Sequence, residues 1–88
     1  MHVYNNFVKV FLCKSIHRLQ NEKKLTKLNM SAILRMEPRS YADISSGKYC
    51  LSAPSLLFLL AYLDDSEALK LIHDFREETL ESAQDWVV

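Results

Sequence analysis

The sequence predicts an all-α fold, on three observations. Its 88 residues include one glycine and two prolines, too few of the turn-forming residues that strand-and-turn folds require. Apolar residues recur at spacings of three and four along most of the chain, the period of a helix with one buried side. The breaks between these periodic segments are short and carry residues that cap helices. A chain of this length makes one domain, with a core so small that every apolar face must be buried or shared with a second copy.

Five helices follow in order. Asn5 or Asn6 caps the first, in which Phe7, Phe11, Leu12, Ile16 and Leu19 form the buried stripe and polar residues from Gln20 to Lys24 close the helix. Thr26 caps the second, with Met30, Ile33 and Leu34 on one side. It must stop by Met36, because Pro38 disfavours helical geometry in Glu37. Pro38 suits the first turn of a third helix, where its missing N–H is not needed, and that helix runs through Tyr41 and Ile44 to Gly47, a candidate left-handed cap. Ser52 caps the fourth and Pro54 sits in its first turn. Leu56, Leu57, Leu59, Leu60 and Leu63 make this helix apolar nearly all round, as expected of one at the centre of a core. After Asp64 and Asp65, Ser66 opens a fifth helix with Leu69, Ile72 and Phe75 as its stripe. From residue 77 the periodicity is lost, and Trp86, Val87 and Val88 end the chain as a docked tail or a contact surface.

The formal charge is zero, but its distribution is uneven. Residues 1–50 hold nine Lys and Arg against three acids, and the remainder holds two against eight. A basic portion followed by an acidic one fits polyanion binding at one end and a solvating or competing segment at the other; chance segregation of surface charge is the alternative. Cys13 and Cys50 lack the spacing of a redox or zinc motif and read as reduced thiols of a cytoplasmic protein. The longest apolar run, from Leu51 to Leu63, is shorter than the roughly 20 residues that span a bilayer, so no membrane contact is expected.

Little else suggests chemistry. Cys13 and His17 share a helix face at i, i+4 spacing, but two ligands do not make a metal site, and no further Cys/His pair completes one. His73 and Glu77 read as a surface polar pair. One glycine cannot build a phosphate-binding loop. No catalytic residue, metal or cofactor is therefore expected, and the chain does not read as an enzyme.

The informative stretch runs from Leu25 to Leu63. Thr26, Met30, Leu34, Met36, Tyr41, Ile44 and Gly47 fall, without a gap, into the register of a helix-turn-helix, followed by Ser52, Leu56, Leu59 and Leu63 and preceded by Ile16 and Leu19. This pattern resembles the Cro-type repressor (XRE) family over about residues 7–75. The resemblance implies a five-helix, lambda-repressor-like DNA-binding domain over residues 1–76, with 77–88 as an acidic C-terminal tail. It also implies roles. Lys27 would meet a phosphate from the start of the second helix. Arg39, Ser40 and Asp43 would reach base edges from the third, with Arg39 suited to guanine. Ser46 and Lys48 would contact phosphate, and Tyr49 beside them could hydrogen-bond one.

Some residues depart from the family pattern. Ser31 and Arg35 stand where members usually have small residues, so Arg35 must take up the turn without glycine's freedom. Pro38 can donate nothing to a base, and Glu37 and Asp43 place negative charge beside the reading face. Leu28, Ile33 and Phe58 are large and apolar where members have polar residues. With Trp86 they form a candidate protein interface, occupied by a second copy or covered by the long first helix or the tail. The expectation is a transcriptional regulator that binds double-stranded DNA as a homodimer. The alternative is a protein-interaction module on the same scaffold that has lost DNA binding.

Overall fold

The computed structural model describes the backbone of residues 2–86 and the side chains of residues 6–79. Among the described residues there are five α-helices and no strand: α1 (His2–Glu22), α2 (Lys27–Ile33), α3 (Pro38–Ser45), α4 (Ala53–Tyr62) and α5 (Asp65–Trp86). None of them is long and apolar enough to cross a membrane.

Local chemistry accounts for most of the boundaries. Thr26 begins α2 with a reciprocal cap: its hydroxyl oxygen accepts from the Asn29 N–H at 3.0 Å, and the Asn29 side-chain oxygen accepts from the Thr26 N–H at 3.2 Å. Pro38 opens α3 after an extended Glu37, and the Ser52 hydroxyl accepts from the Ser55 N–H to open α4. Three helices end in the same way, on a residue of positive φ whose own N–H bonds three residues back while the next N–H bonds five residues back. Lys24 (φ 54) closes α1, Arg35 (φ 59) closes α2 and Gly47 (φ 85) closes α3. Only the third is a glycine; each of the other two carries about 1 kcal/mol of backbone strain.

The structure corrects five expectations. The first helix begins at His2 and passes through Asn5 and Asn6, because tertiary packing extends it: Phe7 and Phe11 lie 5.7 and 5.0 Å, ring centroid to centroid, from Phe75. The fifth is capped by Asp64 and not Ser66, since the Asp64 carboxylate accepts from the Glu67 N–H at 2.8 Å and the Glu67 carboxylate accepts from the Asp64 N–H. It also continues through residues 77–86, where the apolar period fades. Its inward side is Ala68, Leu71 and Phe75, so Leu69 and Ile72 face outward. Lastly, α4 is not enclosed: Ser55 and Leu59 are buried while Leu57 and Phe58 lie open to solvent, because α4 has protein on one side only.

The core sits where the two short helices meet α1 and α4. Met30 of α2, Leu34 capping its end, and Tyr41 and Ile44 of α3 are buried with Ile16 and Leu19 of α1, and with Leu51, Leu59, Leu63 and Leu71. Met36 is half-buried against them. Most polar groups inside are satisfied, the buried Arg18 Nε being without a hydrogen-bond partner among the described residues. Tyr41 donates its hydroxyl to the Gln20 side-chain oxygen at 2.7 Å, and Ser55 donates to the Leu34 carbonyl at 2.8 Å, tying α4 to the end of α2. Burial, with Cys13 nearby, pushes the Tyr41 hydroxyl above its ordinary pKa.

Candidate nucleic-acid interface

Helix α3 is anchored at its back end and open at its front. The carbonyl of Ser45, in the last turn, accepts from the His17 ring N–H at 2.7 Å and from the Cys13 thiol at 3.4 Å, both on α1. The i, i+4 spacing of Cys13 and His17 thus serves one carbonyl, and no group of three or more potential metal ligands occurs among the described residues. At the other end Glu37 makes no side-chain cap, and Arg39 and Ser40 are exposed. Arg39 forms no ion pair with any described residue.

The remaining candidates divide between the ends of the two short helices. Lys27 is the exposed first residue of α2. Asp43, half-exposed, lies midway along α3. Its carbonyl accepts the Ser46 hydroxyl at 3.0 Å and the Lys48 N–H at 2.9 Å, so the Ser46 proton is already engaged. The Lys48 ammonium stands 5.4 Å from the centroid of the Tyr49 ring, and Tyr49 is 56% exposed. The eight residues of α3 span about 12 Å, which separates the Arg39–Ser40 edge from the Ser46–Tyr49 end.

Electrostatics distinguish this face from the rest. Lys14, Arg18 and Lys23 contribute much of the basic excess in the first half of the sequence, and acids of α5 pair with all three: Lys14 with Glu78 at 3.6 Å, Arg18 with Asp74 at 3.0 Å, and Lys23 with Glu67. Partial burial works to raise the Asp74 carboxyl, but Lys70 and Arg18 hold it below the ordinary carboxylate range. The hydrogen bond that the Lys23 ammonium donates to the Glu67 carboxylate holds its pKa above the ordinary lysine value. Lys27, Arg39 and Lys48 have no acidic partner among the described residues. Acids of the second half of the chain thus pair with cations in and next to α1 and, among the described residues, with none in α2 or α3. From Thr26 to Lys48 there are four basic residues, with Arg35, against Glu37 and Asp43.

Comparisons with family models, curated proteins and solved structures find no match to this chain.

The candidate protein interface is only partly assembled. Ile33 and Phe58 line one hollow of about 200 Å³ with Arg35, Ala61 and Tyr62, and the Arg35 guanidinium lies 4.9 Å from the centroid of the Phe58 ring. Leu28 is 66% exposed on α2 but does not line that hollow. The Trp86 side chain lies outside the described residues. Leu57, Leu69 and Ile72, which the sequence places in apolar stripes, are exposed, as is Tyr62. The available signal was α4 itself, a helix apolar nearly all round in a chain too small to surround it.

Proposed function

We propose that the chain is a DNA-binding regulator whose α2 and α3 form a helix-turn-helix of the lambda-repressor type, with α3 entering the major groove. One observation carries this reading: Arg39 and Ser40 are exposed at the open front of α3, and Arg39 has no ion-pair partner among the described residues, while Met30, Leu34, Tyr41 and Ile44 of the register are buried. A guanidinium in that position fits guanine O6 and N7 and discriminates by about 1–3 kcal/mol per base pair. Lys27 and Lys48 would position the domain on phosphates from either side. In this reading the protein acts in the cytoplasm, without cofactor or catalysis, as two copies on two half-sites.

Titration onto duplex DNA at several salt concentrations tests it. Counterion release makes log affinity fall steeply with log salt, and the Lys27→Ala, Lys48→Ala double variant flattens that slope by about two contacts. Arg39→Ala lowers discrimination between sequences more than it lowers nonspecific affinity. Binding without salt dependence, or an unchanged slope in the double variant, refutes the assignment.

The hollow around Ile33 and Phe58 favours a second reading, a module that docks a protein there. In that case Phe58→Ala removes binding to the partner and the lysine variants leave it intact.

A further inference from the structure

Asp65, Leu69, Ile72 and Arg76 follow one another at spacings of four, three and four, which puts them on a single stripe of α5. All four are exposed, Leu69 at 64% and Ile72 at 46%. Neighbouring polar side chains on the helix have partners, Lys70 with Asp74 and His73 with Glu77, whereas Asp65 and Arg76 have no ion-pair partner among the described residues. The stripe therefore reads acid, apolar, apolar, base. Turned end for end, it is its own complement. Two copies laid antiparallel about a two-fold axis between positions 69 and 72 set Leu69 of each against Ile72 of the other. The same axis sets Asp65 of each against Arg76 of the other. An isologous interface demands this self-complementarity, and a chain of zero formal charge meets no overall repulsion from its copy.

A cavity beside the stripe supplies a seat. It measures about 190 Å³ and is lined by Leu56 and Leu60 of α4, Leu71, Ile72 and Phe75 of α5, and residues of α1. A dry apolar cavity of about 150 Å³ accommodates benzene, so this one accommodates a branched aliphatic side chain. The two-fold arrangement brings Leu69 of the second copy to its Ile72 edge. Leu57, three residues before Leu60 on α4 and 65% exposed, extends the apolar surface.

We infer that α5 pairs antiparallel with α5 of a second copy through Asp65, Leu69, Ile72 and Arg76. This deepens the two-copy element of the DNA-binding reading by naming its surface, and it is tested without DNA. Sedimentation of the full chain at micromolar concentrations shows a dimer. Arg76→Asp sets like charges opposite each other twice and weakens dimerisation about tenfold or more, because two attractive pairs are replaced by two repulsive ones. The Asp65→Arg, Arg76→Asp double variant restores both pairs and recovers the dimer. Leu69→Asp leaves a monomer with unchanged circular dichroism. A wild-type monomer overturns the pairing, as does a dimer indifferent to Arg76→Asp, which would place association elsewhere, such as the Ile33–Phe58 hollow. The double variant failing to recover refutes the register. A dimer that behaves as described but lacks salt-dependent duplex binding keeps the pairing and removes the DNA assignment; duplex binding by a monomer does the reverse.

Discussion

Helices α2 and α3 are seven and eight residues long, whereas α1 and α5 run for 21 and 22. Isolated helices shorter than about 12–15 residues are marginal in water, so the short pair depends on what its ends and buried side provide. It has a reciprocal cap at Thr26, a proline start at Pro38, left-handed closures at Arg35 and Gly47, and four large side chains in the core. The long pair is joined by ring contacts at Phe75 and by ion pairs reaching from α1 to α5. Where helices are held by caps and burial, their charged side chains stay available to a ligand. Where charges hold the helices together, they are unavailable.

The comparison breaks most sharply at Leu34, which is fully buried. Leu34→Ala is expected to cost about 2–5 kcal/mol in urea unfolding, enough to threaten the fold of a domain this small. Gly47→Ala should cost about 1–2 kcal/mol. An added Cβ meets nothing within 4 Å, so the loss is purely the left-handed backbone, and a neutral result would show that α3 does not need its closure. Thr26→Ala should cost about 1 kcal/mol and leave the affinity of the α1–α5 contacts unchanged.

Asp74→Asn is the mildest, under about 1 kcal/mol at neutral pH and smaller still in high salt, since the carboxylate is partly exposed. Its pH dependence is the more telling measurement. Asp74 and Asp64 both have lowered pKa values, Asp64 chiefly through the Glu67 N–H. The unfolded chain then binds more protons than the folded one as the pH falls. Their stabilisation is complete above about pH 4, the unfolded value, and disappears as pH drops through the folded values. Thermal melts should fall below pH 4 in the parent and fall less in Asp74→Asn. Raising the salt should lower the parent melt slightly and leave Leu34→Ala no worse relative to it.

The features legible in the sequence are those written in a few adjacent residues. Thr26, Pro38, Gly47 and Ser52 mark boundaries because each carries its own conformational preference, and the buried positions from Met30 to Ile44 show through their spacing. Lys24 gives no such sign; nothing in a lysine announces positive φ, and only the backbone bonds around it reveal it. Arg35 is legible only through the family register. The Arg18–Asp74 pair spans 56 positions, so the charge segregation was visible while its consequence, the pairing of Lys14 and Arg18 with acids of α5, was not. The solvent-facing side of α4 and the outward Leu69 and Ile72 were hidden for a related reason, because a stripe of leucines does not say how many neighbours the fold will supply. At the candidate site, the exposure of Arg39 followed from its place in the first turn of α3; the engaged hydroxyl of Ser46 did not.

The two hydrogen bonds to the Ser45 carbonyl and the bond from Tyr41 to Gln20 rivet α3 to α1 at two points, and Arg39 overhangs the nearer rivet by two residues. His17 and Cys13 touch no candidate ligand, yet they set the aim of the residues that would.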